Sequence, residues 1–128
     1  MKFGYTILYV PDVPATLAFY GAAFGLETRF LHPEGDYGEL ETGATALAFV
    51  SEALRDQNGV VARDNRPGEP AAGVEIALVT EDVAGAFARA VEAGAEEVLA
   101  VAEKPWGQHV GYVRDLNGVL VELCSPMG

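Results

Sequence analysis

The chain has 128 residues and a mass of 13.5 kDa, room for one domain, and half of it is hydrophobic, which supplies a core and excludes a disordered chain. Eight basic against nineteen acidic residues give a net charge of −11 and a pI near 4.4, so the surface repels phosphate backbones and attracts cations; nucleic acid is not an expected partner. The single cysteine, Cys124, rules out an intramolecular disulfide and a cysteine zinc cluster.

The opening MKFGYTILYVPD reaches Pro11 before any signal-like apolar stretch develops, and no apolar run is long enough for a bilayer. A cytoplasmic protein with no membrane partner is expected. Residues 3–10 are rich in β-branched and aromatic types and predict a strand. Asp12 then caps a helix in which Val13, Leu17, Tyr20 and Phe24 recur at helical spacing, with Gly25 at its end. Three strands follow at about 26–31, 36–42 and 44–50, separated by the turn signals His32-Pro33-Glu34-Gly35 and Thr42-Gly43. Residues 52–72 contain Asn58-Gly59 and two prolines and show no sustained period; they read as a linker with one helical turn near Glu52–Arg55.

The pattern then restarts. Residues 73–80 predict a strand, Asp82 caps a helix that runs to Gly94, and strands follow at about 96–103, 107–114 and 119–125. The order is β-α-β-β-β twice. Placing Tyr5 on Glu75 aligns Leu8 with Leu78, Asp12 with Asp82, Val13 with Val83 and Ala18 with Ala88. The expected organisation is one α+β domain, residues 1–128, with module one at 1–51 and module two at 73–128.

Side-chain alternation assigns faces. Thr6, Leu8 and Val10 of the first strand, Leu47 and Phe49 of the fourth, Val74, Ile76 and Leu78 of the fifth and Val121 and Leu123 of the last are expected beneath a helix. That leaves Tyr5, Ile7 and Tyr9, Ala46, Ala48 and Val50, Glu75, Ala77 and Val79, and Leu120, Glu122 and Cys124 on the other face. Small residues, two tyrosines and two carboxylates suit a pocket lining better than a core. A turn centred on Asn117 pairs Tyr112 with Glu122, so Gln108 and Val110 share that face and His109 points away. Glu39 and Glu41 also point away from the helix, where they either add to the pocket's negative charge or, the favoured reading, are simply solvated, and His32 is expected to be exposed in its turn. Arg114 is expected to tie down the Asp115–Gly118 turn through a carboxylate, and Cys124 to be a small buried residue.

Three segments, YTILYVPDVPATLAFYGAAFGLE, VEIALVTEDVAGAFARAVEAGA and KPWGQHVGYVRDLNGVLVELCSP, resemble the vicinal oxygen chelate superfamily, which includes glyoxalase I, extradiol dioxygenases and bleomycin resistance proteins. The resemblance covers nearly the whole chain. It implies two βαβββ modules forming a cupped, mostly antiparallel sheet with helices on the outer face, and a pocket often floored by a divalent metal. Family metal ligands fall at Tyr5, Ala48, Glu75 and Glu122; the first and third are commonly histidine in the metal enzymes. Two carboxylates and a phenol make a poor zinc, nickel or iron site, so no cofactor is expected, with Glu75 and Glu122 the only candidates for a weakly held divalent metal. Trp106 lies in the family-like PWGQ segment, where it can stack on a planar or cationic ligand or close one end of the cup.

Two classes of function follow. One is a small-molecule-binding homodimer similar to the bleomycin resistance proteins, tied to antibiotic resistance in that branch, which takes a cationic or aromatic ligand in an acidic cleft. Its lining would be Tyr5, Ile7, Tyr9, Ala46, Ala48, Glu75, Ala77, Trp106, Gln108, Tyr112 and Glu122. The other is an enzyme, a glyoxalase-like lyase or isomerase or a metal-independent catalyst, in which Glu75 or Glu122 moves a proton and Tyr5 or Tyr112 orients the substrate.

Overall fold

The computed structural model describes residues 1–127; Gly128, the last residue of the predicted second module, lies outside the described residues. The chain forms two compact units that divide at Asp64–Asn65. In the first, β1 (Tyr5–Val10), α1 (Val13–Phe24), β2 (Thr28–Leu31), β3 (Tyr37–Leu40), β4 (Ala46–Ser51) and α2 (Glu52–Gln57) follow in order. In the second come β5 (Glu75–Val79), α3 (Val83–Glu92), β6 (Glu96–Glu103), β7 (His109–Arg114) and β8 (Leu120–Cys124). Each unit is an open four-stranded mixed sheet, ordered β1-β4-β3-β2 and β5-β8-β7-β6, with its first and last strands parallel and the other pairs antiparallel. The α+β class and the repeated β-α-β-β-β order are as the sequence predicts.

The caps form as predicted. Asp12 accepts a hydrogen bond from the Ala15 amide and Asp82 from the Gly85 amide, each at 3.0 Å, satisfying donors that a helix start leaves unpaired. Gly25 ends α1 in the left-handed region at φ 70°, where a side chain would clash with its own backbone. Helix α1 buries Val13, Leu17 and Tyr20 against its sheet, where the Tyr20 and Phe49 rings meet at 5.1 Å. Leu8, Val10 and Leu40 are buried with them. Side chains of this size each stabilise a fold by about 1.5–3 kcal/mol when fully buried, and they hold helix and sheet together.

The segment expected as a linker begins with more order than one turn: α2 runs for six residues and packs on β4 and β1. Ser51 caps it through the Leu54 amide, and it buries the guanidinium of Arg55 beside Asp56 and Asp64.

In both sheets the penultimate strand carries a glycine under the helix. Alanine at Gly111 would place its Cβ 2.9 Å from both the Phe87 ring and Val101 Cγ2. Overpacking of this kind costs about 1–3 kcal/mol. Gly111→Ala is therefore expected to lower the urea unfolding midpoint, and an unchanged midpoint would show that the Phe87 ring moves aside freely.

Candidate functional site

In the second unit, β8 lies between β5 and β7, with Ala77 opposite Glu122 on one side and Tyr112 opposite Glu122 on the other. Glu75 precedes Ala77 by two residues and so shares its face. The structure thus brings Glu75, Glu122 and Tyr112 together in the predicted register. The Tyr112 hydroxyl donates to Glu122 Oε1 at 3.0 Å.

Two carboxyls this close cannot both ionise freely. A hydrogen bond to Glu122, reinforced by burial and by its charge, raises the pKa of Glu75. Burial pushes Glu122 upward too, but hydrogen bonds from Glu75, Cys124 and Tyr112, with the Lys104 charge, outweigh it and leave Glu122 below the usual carboxylate range. The two shifts run in opposite directions, so a proton taken up by the pair rests on Glu75 in preference to Glu122. Burial, then the bond to Glu122, pushes Tyr112 up to about 12, so it remains a donor at neutral pH.

Just before β7, Gln108 links the exposed Trp106 to Ser125: it accepts from Trp106 Nε1 at 2.8 Å and donates to the Ser125 carbonyl at 2.8 Å. Trp106, Gly107, Gln108, Pro126 and Met127 line a recess of about 190 Å³. His109 falls on the opposite face, because the β7–β8 ladder runs from Val110 to Arg114 without a register break. Cys124 is buried, and burial together with its bond to Glu122 pushes its thiol up, the reverse of an activated nucleophile. Arg114 does tie down the turn after β7, but through carbonyls and not a carboxylate: its Nε donates to Gly118 O and its Nη2 to Arg66 O. The Asp115 carboxylate is taken by the Asn117 and Val119 amides.

In the first unit, Tyr5 and Ile7 are exposed opposite Ala46 and Ala48, which are buried. Tyr9 carries the Arg55 guanidinium 5.4 Å from its ring centre, so a protein cation already occupies one of its faces. Of the two expectations for Glu39, simple solvation does not hold: it is mostly buried and accepts from the Tyr37 hydroxyl at 2.5 Å. Alternation around Gly38 signals that Tyr37 and Glu39 share a face. Nothing in the sequence pattern signals Arg29 or Arg55, whose contacts depend on a register break and on a helix packed over β1.

For a metal, the donors on β5 and β8 are two carboxyls with a phenol beside them and no imidazole. Among the described residues, no group of three or more His, Cys, Asp or Glu side chains is placed to hold an ion. Such a set does not fit a zinc, nickel or iron centre.

The family model for the glyoxalase/bleomycin resistance protein/dioxygenase superfamily matches residues 2–123, and the chain belongs to that superfamily. Similar solved structures include a glyoxalase-related enzyme from Fulvimarina pelagi, 25% identical over 98% of this chain and 88% of that one, with a TM-score of 0.81. TioX from Micromonospora sp. ML1 is 22% identical over 98% of both chains, with a TM-score of 0.74. A glyoxalase/bleomycin resistance protein/dioxygenase from Nocardioides is 21% identical over 99% of this chain and 84% of that one, with a TM-score of 0.77. The comparison with curated proteins finds no match. Among the described residues no helix is long and apolar enough to cross a membrane.

Glu122→Gln removes the charge that holds the proton on Glu75, and the Glu75 midpoint, followed by carboxyl ¹³C shifts, is expected to fall. The linkage has two signs. Glu75, held above its ordinary value, adds stability at acid pH that is lost as pH rises through its folded midpoint. Glu122, held below, adds stability above the ordinary glutamate pKa that is lost as pH falls through its own. An unchanged Glu75 midpoint in the variant would assign the shift to burial instead.

Proposed function

We propose that the protein binds a small cationic molecule, with the Glu75–Glu122 pair as its anchor and without a metal. The observation that carries this is the meeting of Glu75 and Glu122 on one sheet face, where each shifts the other's titration: an amine or guanidinium hydrogen-bonded to both relieves their repulsion. The net charge of −11 supports it by concentrating cations at the surface. Tyr112 orients Glu122, and the exposed Trp106 beside Gln108 offers a flat aromatic face to the ligand's apolar part. The ligand class resembles that of the bleomycin resistance branch, and basic antibiotics fall within it. A cytoplasmic homodimer, the arrangement common in the superfamily, belongs to the same reading.

Benzamidine, an aromatic cation, is a suitable calorimetric probe. Its binding should release protons at mildly acid pH and weaken as salt rises toward about 1 M, where the Debye length is about 3 Å. Glu122→Gln should weaken it about tenfold or more, the worth of one charged hydrogen bond. Binding that ignores both salt and the substitution would sink the proposal.

The opposed shifts of the two carboxyls, Glu75 upward and Glu122 downward, also favour a second reading, a metal-independent enzyme with Glu122 as base and Glu75 as acid. Turnover that survives a chelator and disappears in Glu122→Gln would select it. Turnover lost to the chelator would instead point to a weakly held divalent metal and a glyoxalase-like reaction.

A further inference from the structure

The turn between β6 and β7 brings a charge of the opposite sign to the face of the acid pair. Glu103 of β6 stands opposite His109 of β7. The Lys104 amide donates to the Gln108 carbonyl at 2.8 Å, which extends the ladder by one more pair, and the Gly107 amide closes the turn on the Lys104 carbonyl at 2.8 Å. Gly107 takes φ 95°, the left-handed conformation that a three-residue hairpin loop needs at its last position. Residues paired across a ladder share a face. Lys104 therefore lies on the face of Gln108, and with it that of Tyr112 and Glu122, while Glu103 goes with His109 to the other.

Lys104 is the one lysine in the sequence of the second unit, and it is half-buried. Among the described residues its ammonium forms no ion pair. Its charge is nevertheless felt at Glu122, which it helps to hold below the usual carboxylate range. Arg114, at the far end of β7, is instead held by the Gly118 and Arg66 carbonyls. Four residues of strand separate Gln108 from Tyr112, a rise of about 14 Å, and the flexible lysine stem shortens the gap. The exposed Trp106 sits in the same turn as Lys104.

Two acids at one end and an unpaired ammonium at the other complement a molecule charged oppositely at its two ends. A plain cation leaves Lys104 unmatched and feels its repulsion. A plain anion meets both acids and a chain of net charge −11. We infer that the ligand is a flat zwitterion, its amine or amidine held by Glu75 and Glu122, its carboxylate by the Lys104 ammonium and its ring against Trp106. This rests on the cation reading of the Glu75–Glu122 pair and adds Lys104 as the residue that selects among cations.

Calorimetric titration of benzamidine and of 4-amidinobenzoate, which adds a carboxylate at the far end of the same ring, tests it. The native protein is expected to bind 4-amidinobenzoate about tenfold more tightly, the worth of one charged hydrogen bond. That comparison needs no variant and so does not depend on whether a substitution folds. In Lys104→Met the order should reverse, because the carboxylate then meets only acidic surroundings, whereas Lys104→Arg keeps the charge and should keep the preference. Equal affinity for the two compounds in the native protein, or a preference that survives Lys104→Met, overturns the inference and leaves the cation reading standing. Binding of neither compound overturns both.

Discussion

The parallel pairing of first and last strands in each unit is the constraint on which the rest depends. Parallel neighbours cannot be joined by a tight turn, so each chain segment must cross over, and the crossing helix covers one sheet face. That face takes Leu8, Val10, Leu17, Tyr20 and Phe49 in the first unit, with Val121 and Leu123 buried in the second. Whatever polar chemistry the strands carry is consequently displaced to the opposite face. Glu75 and Glu122 meet because β5 runs beside β8 in a register that sets Ala77 opposite Glu122.

The same ladder, read in both units, shows how one scaffold carries two different surfaces. Ile7 pairs with Ala48 as Ala77 pairs with Glu122, so Ala48 and Glu122 are equivalent places. Glu39 stands opposite Ala48 as Tyr112 stands opposite Glu122. The acid and the phenol have thus exchanged strands. In the second unit two acids compete for a proton beside a phenol. In the first, one acid is steadied by a phenol and faces an arginine. The second unit's arrangement suits a cation, whereas in the first Arg29 already stands beside Glu39.

Much of this was legible in the residues. Strand alternation assigned the faces except at Val74, which was expected beneath a helix but precedes β5 and is half exposed; Asp12 and Asp82 marked the helix starts, and a turn centred on Asn117 fixed Tyr112 against Glu122. These are local rules, with a period of two residues or a reach of a few, and nothing elsewhere in the chain overrides them here. The proximity of Glu75 to Glu122 needed one long-range pairing, which the resemblance to the superfamily implied.

Tertiary structure alone decided the rest. Arg29 joins Glu39 through a break in register that no periodicity announces, and Arg55 reaches Tyr9 because α2 folds back onto β1. Arg114 binds carbonyls in place of the expected carboxylate, since a segment far back in the chain, ending in Arg66 O, lies beside its turn. The sequence by itself determined the two-module fold, the sidedness of its strands and the pairing of acid with phenol, because alternation and capping are properties of neighbours. Which long cationic side chains reach those strands depends on irregular backbone and on contacts distant in sequence, and these exist only once the chain has folded.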